Sequence, residues 1–285
     1  MVLTLRRGTP ADAAPCGVIA YEAFKAISDQ HNYPPDFPSP PVATEVLAML
    51  LSHPGFYSVV AERDGRIVGS NFLDERSAIT GVGPITVTPA LQNSGIGRRL
   101  MDDVMARARD RKAAGVRLVQ SAYHRRSLAL YAKLGFDVRE PLSGMEGAPF
   151  RARLPGYEVR SGASPDAGAC NALCARVHGS DRAGEVADAI RQGTLSVVEH
   201  AGRISGYATG IGWFAHAVGE SNNELEALIG AAPSFLGPGF LLPTRNTELF
   251  RWCLAHGLRL MQQMTLMTIG LYSEPAGAYL PGILY

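Results

Sequence analysis

The chain has 285 residues, with 27 lysines and arginines against 26 aspartates and glutamates, and 46% of its residues are hydrophobic. That length suits two cores of ordinary size, the near-zero charge gives no overall attraction to nucleic acid or an anionic membrane, and no apolar run approaches membrane-spanning length. Cys16, Cys170, Cys174 and Cys253 are too few and too scattered for a disulfide framework and read as core thiols, with no metal expected at the Cys170/Cys174 pair. With no charged-then-apolar leader ahead of the first strand, a cytoplasmic location is the expectation.

Residues 2 to 7 read as a first strand. Thr9-Pro10-Ala11-Asp12 then opens a helix, with Thr9 as N-cap, Pro10 at the first helical position and Asp12 reaching back. Cys16, Ile19, Ala20, Ala23 and Ile27 carry its buried stripe. Ser28 to Pro41 holds five prolines, too irregular for a core element and too apolar for a free linker. An ordered loop lining a site is expected there, with His31, Tyr33 and Asp36 as candidate substrate contacts.

A second helix is expected from about Thr44 to Leu51, and strands at 56–62 and 66–72 meet in the turn Arg63-Asp64-Gly65. Ile85 and Val87 alternate with Thr86 and Thr88 in a strand that breaks at Pro89 and passes Gln92-Asn93-Ser94-Gly95-Ile96-Gly97-Arg98. It then becomes an amphipathic helix to about Lys112, with Ile96, Leu100, Val104 and Ala108 repeating every four residues. A loop whose N–H groups converge on one anion needs residues without Cβ, and the helix start adds unpaired N–H groups and the positive dipole end. Arg98 and Arg99 in the first turn oppose that dipole unless an anion lies between them, which a bound pyrophosphate would supply. The stretch lacks the third glycine of a dinucleotide fingerprint. Val116 to Ala122 reads as a strand, Ser127 to Leu134 as a helix capped by Gly135, and another strand starts at Phe136. Antiparallel strands giving way to a βαβ unit predict an α+β fold on one mixed sheet.

Glycines and prolines from Ser143 to Gly156 mark a boundary between domains at 1–148 and 155–285. Residues 157–170 then repeat residues 3–16 without gaps, matching at Arg6/Arg160, Gly8/Gly162, Asp12/Asp166, Ala13/Ala167 and Cys16/Cys170. Ser58-Val-Val matches Ser196-Val-Val, Gly65-Arg-Ile matches Gly202-Arg-Ile, and 115–120 matches 257–262. The chain is therefore an internal duplication. Pro89 to Gly115 spans 26 steps and Pro243 to Gly257 only 14, so the second copy is expected to lack the glycine loop, with 240–246 in its place. Its polar residues His178, Asp181, Arg182, His216, Glu220, Asn222, Arg245 and Asn246 are expected to recognise substrate or pack the domains, and Ser221 with Glu224 forms a capping box.

Gln92-Asn93-Ser94-Gly95-Ile96-Gly97-Arg98 after a strand, followed by 127–136 (Ser-Leu-Ala-Leu-Tyr-Ala-Lys-Leu-Gly-Phe), resembles the GCN5-related N-acetyltransferases (GNAT). The resemblance covers residues 1 to 148 well and 155 to 285 as a degenerate copy, so it implies two tandem acyl-CoA N-acyltransferase folds. It implies acetyl transfer from acetyl-CoA, as cosubstrate, to an amine by direct attack, with a small-molecule acceptor and neither nucleic acid nor membrane as partner. Ile85, Val87, Gln92, Asn93, Gly95, Ile96, Gly97 and Arg98 would hold the cosubstrate, and Tyr131 would protonate the departing thiolate. His124 stands where the family motif usually has an asparagine, and a neutral imidazole is expected to replace its contact with the cosubstrate. Asp74 and Glu75 are the candidates for taking the amine's proton. The competing expectation is a non-catalytic acyl-CoA sensor.

Overall fold

The computed structural model describes residues 3–284, so Val2 of the expected first strand lies outside the described residues. The chain begins with β1 (Leu3–Arg7), a 3-10 turn at Pro10–Asp12, α1 (Ala13–His31) and α2 (Pro40–Ser52). The β2 (Phe56–Arg63) and β3 (Arg66–Asp74) hairpin follows, then β4 (Ile79–Val82), β5 (Thr86–Val87) and α3 (Ile96–Asp110). β6 (Gly115–Ser121), α4 (Arg125–Lys133) and β7 (Asp137–Glu146) end the first half. The second half runs through β8 (Glu158–Ser161), α5 (Ala167–His178), α6 (Ala183–Gln192), β9 (Ser196–His200), β10 (Arg203–Ala208) and β11 (Ala217–Gly219). It continues with α7 (Asn222–Ala231), β12 (Phe240–Pro243), α8 (Thr247–Ala255), β13 (Arg259–Gly270) and β14 (Ala278–Leu280).

Two boundaries differ from the sequence expectation for local reasons. Helix α2 starts at Pro40 because Ser39 is its N-cap and the two prolines fall in its first turn, where their missing N–H groups cost no hydrogen bond. Strand β7 continues to Glu146, so Ser143–Glu146 belongs to the sheet and the linker begins at Gly147.

The larger sheet has the order β1-β2-β3-β4-β6-β13-β7-β12, with β5 pairing β3, and the smaller has the order β14-β11-β10-β9-β8. β13 lies antiparallel between β6 and β7, pairing Met267 with Leu118 and Met264 with Leu142, while β12 pairs with the far side of β7. The exchange is reciprocal: each half's β6-type strand pairs with the other half's β7-type strand. The division at 148–155 therefore marks the linker but does not separate the two sheets.

In the first half, α1 and α2 cover one face of the sheet through Cys16, Ala20, Leu47, Leu50 and Phe72. α3 and α4 cover the other through Leu100, Met101, Val104 and Tyr131. Full burial of a side chain such as Leu47 or Leu100 contributes about 1.5–3 kcal/mol, so both layers are firmly held. Strand β13 is apolar on both faces: Met267 joins the α3/α4 layer, while Met264 and Leu266 pack with Trp213 and Tyr279 of the second half.

The duplication is visible atom by atom at its start. Arg6 forms a two-pronged pair with Asp12 and also reaches Glu62; Arg160 repeats both contacts with Asp166 and Glu199. Two of the sequence matches shift register. Gly8 and Gly162 donate to the carbonyls of Ser58 and Leu195, so Ser58 corresponds to Leu195, one residue before the matched serine. β12, α8 and β13 follow one another as β6, α4 and β7 do, so Gly257 corresponds to Gly135 and not to Gly115.

Candidate functional site

β4 and β6 run parallel from Ile79/Gly115 to Gly81/Arg117, and there their pairing ends. The chain after β4 turns away, and β5 pairs with β3 through Thr86/Ser70 and Val87/Gly69. β6 continues to Ser121 without a partner on that side, which opens the sheet between Gly83–Val87 and Leu118–Ser121. Val82 and Val87 from one lip and Leu118 from the other share a hydrophobic cluster with Tyr131.

The glycine loop lies at the end of this opening. Gly95 is the N-cap of α3 with a φ of 87°, a left-handed conformation that favours glycine, and no side chain caps the helix. The first N–H groups of α3 therefore lack intrahelical acceptors, beside exposed Asn93, Gly95 and Arg98. A Cβ on Gly97 would meet nothing nearer than Val87 Cγ2 at 3.9 Å, so the first turn is open to a ligand. Gln92 donates from Nε2 to the Val87 carbonyl at 3.2 Å and ties the loop to the strand, while among the described residues Arg98 makes only a long pair with Asp102 at 3.8 Å. Ile96 is buried and anchors the helix, and Ile85 is half-buried beside the opening.

α4 begins next to the same opening. His124 is its N-cap, and its Nδ1 accepts from the Ser127 N–H at 3.3 Å, leaving Nε2 as the protonated nitrogen of the neutral ring. Burial, with Arg126 and His31 adding to it, pushes the ring's pKa down to about 4, so the imidazole is neutral at pH 7. Tyr131 is buried edge-on to Phe136, at 6.1 Å between ring centres, and burial raises its phenol above the ordinary value. Its protonated form is the one a general acid requires. Gln120, not among the expected site residues, accepts at Oε1 from the Ser127 hydroxyl, while its Nε2 is buried with no partner among the described residues. The duplication held no signal for Gln120, because its match to Gln262 was in the wrong register.

The two carboxylates expected to take the amine's proton are committed elsewhere. Arg76 donates to both oxygens of Asp74 at 2.9 and 2.5 Å and bridges to Asp188 of α6 at 2.8 Å. Burial still pushes the Asp74 carboxyl up against the effect of Arg76. Glu75 is gripped by Arg107 at 2.7 and 3.1 Å and by Arg111 at 3.3 Å. The charges adjacent in space, not the place in the sequence, decide that both act as structural ion pairs.

The proline-rich loop is ordered. Phe24 and Phe37 meet edge-on at 5.6 Å, Tyr33 stacks on Tyr123 at 4.2 Å, and His31 lies 5.3 Å from Tyr123. Asp36 accepts at Oδ1 from Nε2 of Gln262 on β13 at 3.2 Å, and burial pushes its carboxyl up to about 6. The three expected substrate contacts thus gather where the first half meets a strand of the second.

Among the described residues the second half has neither the opening nor the loop. β14 pairs antiparallel with β11 and fills the position beside it. Two residues separate β11 from α7, which begins under its own cap: Ser221 Oγ accepts from the Asn223 N–H, and the Glu224 carboxylate accepts from the Ser221 N–H at 2.9 Å. That carboxylate stands at the helix start where α3 is open. Segment 240–246, expected in place of the cradle, is instead β12 and the N-cap of α8. In the corrected register Asn246 corresponds to His124, caps its helix in the same way, and Cys253 stands in the position of Tyr131.

Five of the polar residues of this half bond to one another or to neighbouring side chains. His216 bonds Tyr207 at 2.9 Å and Glu185 at 3.1 Å, Glu220 pairs with Arg176 and Arg203, and Asn222 with Asn246. Arg245 reaches Glu140 of β7 at 2.5 Å and joins the halves. His178, Asp181 and Arg182 line a small crevice with Asp74, Arg117 and Leu284.

The arrangement defines a pair of acyltransferase folds with one open cradle. Residues 22–136 match the model of the acetyltransferase (GNAT) family. That match lies within the first half of the chain, which carries the glycine loop and Tyr131. Over the whole length, the fold is similar to that of a protein from Pyrococcus horikoshii assigned as an acetyltransferase, with a TM-score of 0.72, 17% identity, and coverage of 97% of this chain and 94% of that one. It is also similar to a GCN5-related N-acetyltransferase from Sphaerobacter thermophilus, with a TM-score of 0.62, 17% identity, and coverage of 99% and 98%. A tandem GNAT protein from the clavulanic acid biosynthesis pathway gives a TM-score of 0.56 at 15% identity, with coverage of 97% and 99%. These likenesses establish the tandem fold. Comparison with curated protein sequences returns no match.

Proposed function

We propose that this protein transfers the acetyl group of acetyl-CoA to a primary amine of a small-molecule acceptor, by direct attack within a ternary complex. The observation that carries the reading is the uncapped start of α3, flanked by Arg98 and lying at the end of the opening between β4 and β6. Backbone N–H groups of residues 95–98 would hold the pyrophosphate, and the free edge at Ile85 and Val87 the pantetheine arm. His124 Nε2–H and Gln120 Nε2 are donors for the arm's carbonyls. A backbone donor aimed at the developing oxyanion is worth about 3 kcal/mol in such reactions. Tyr131 is the proton donor to the departing thiolate.

A thiol is already a fair leaving group, so Tyr131→Phe should lower kcat by about a hundredfold or less while leaving the acetyl-CoA Kd within about twofold. Release of CoA thiol is to be followed with a panel of primary amines, in the wild type and in this variant. Tight acetyl-CoA binding with no thiol release for any amine would contradict the reading and favour a sensor.

A further inference from the structure

We propose that Asp36, positioned by Gln262 from the second half of the chain, receives the acceptor's ammonium group and takes its proton. This rests on the acetyl-transfer reading above and assigns the proton acceptor that Asp74 and Glu75 do not provide.

Asp36 Oδ2 is shielded from solvent and has no hydrogen-bond partner among the described residues, and the same holds for Gln262 Oε1. The amide's orientation is fixed, because turning it would put its oxygen against the carboxylate and remove the bond from Nε2 to Asp36 Oδ1. The pair therefore offers two unsatisfied acceptors on adjoining side chains. A buried polar atom left this way is costly, and a ligand with two or more N–H donors would recover that cost. An ammonium supplies three, together with the positive charge that an isolated buried carboxylate lacks.

Among the described residues no lysine or arginine forms an ion pair with Asp36. The titratable groups around it are Tyr33 on its own loop, His31 at the end of α1, and Tyr123 beyond β6, whose phenol senses the Asp36 charge. β13 contributes the uncharged Gln262. Of the three carboxylates singled out in the first half, Asp74 and Glu75 have both oxygens engaged by arginines, and only Asp36 keeps one free.

The step balances without a further reactant. The ammonium gives one proton to Asp36, and its lone pair then forms the C–N bond at the thioester carbonyl. The C–S bond breaks and the thiolate takes the Tyr131 proton. The second nitrogen proton restores Tyr131, and Asp36 returns its own to solvent. A carboxyl held near pH 6 accepts a proton at neutral pH and releases it readily afterwards.

The test compares the wild type, Asp36→Asn and Gln262→Met by kcat/KM against pH, using spermidine and tyramine among the amine probes. Acetyl-CoA Kd and melting temperature are measured on each. The wild type should show an acidic limb near pH 6. Asp36→Asn should keep its acetyl-CoA Kd, lose about a hundredfold or more in kcat/KM, and lose the limb. Gln262→Met, deprived of the bond that favours the ionised carboxylate, should move the limb to higher pH and retain turnover on the alkaline side. Wild-type kcat/KM and an unchanged limb in Asp36→Asn overturn the assignment while acetyl transfer stands. If that variant fails to fold, an unmoved limb in Gln262→Met overturns it. Acetyl-CoA binding with no amine turned over by the wild type overturns both readings.

Discussion

Arg98 and Gly97 show why a single turn of helix can define a ligand. A cation in the first turn opposes the helix dipole, and Arg98 is relieved only by a 3.8 Å pair with Asp102. An anion at the N-terminus removes the conflict, and Gly97 leaves the space for it. Gly97→Glu brings a carboxylate to this turn, and its Cβ would meet nothing nearer than 3.9 Å. The variant should melt within about 2 °C of the wild type, because substitutions that leave the surrounding packing intact change stability by about 0.5 kcal/mol or less. Its acetyl-CoA Kd should be at least about tenfold weaker, a loss of about 1.4 kcal/mol, read by calorimetry. An unchanged Kd would remove the pyrophosphate from this turn.

At the scale of elements, what was legible in the sequence was what depends on neighbours along the chain. The Thr9-Pro10-Asp12 turn, the Arg63-Asp64-Gly65 hairpin, α3 and the Gly135 stop all follow from local capping, turn chemistry and periodicity. Asp74, Glu75 and Gln262 were not legible in this way, because their partners lie on other elements: Arg76 reaches α6, Arg107 lies on α3, and Asp36 sits on a loop 226 positions away from Gln262. The exchanged strand was invisible for the same reason. The pattern of β13 shows that it is buried on both faces, but not between which neighbours. Residues 1–148 alone would expose the apolar edges of β6 and β7 where β13 belongs. Expressed separately, that fragment should aggregate or elute as oligomers on size exclusion; a soluble monomer with the melting temperature of the full chain would contradict the exchange.

At the scale of the whole molecule, the halves are joined by buried charge. Arg76 ties Asp74 to Asp188, and behind them Glu185 pairs with His216. Burial presses the Glu185 carboxyl upward, but Arg182 and His216 outweigh it and hold it ionised. Burial lowers His216 to about 4 and His178 well below its ordinary value, with Arg182 adding to both. Histidines depressed in the folded state contribute stability that is fully present above about pH 6.5 and is lost as pH falls toward the folded pKa, by up to about 1.4 kcal/mol per group per pH unit. Asp36 and Asp74, raised by burial, act in the opposite sense, so the test is a difference: between pH 7 and pH 5 the wild type should lose more melting temperature, or gain less, than His216→Gln. Parallel profiles in the two proteins would contradict the neutral buried state of His216.

The same scale sets the stoichiometry. The first half keeps an open strand edge and an uncapped helix, while in the second half β14 covers the corresponding edge and Glu224 occupies the corresponding helix start. Isothermal titration of the intact chain with acetyl-CoA tests this most directly. One acetyl-CoA bound per chain is the result predicted, and it should weaken in Gly97→Glu; two per chain, or none, would contradict the account.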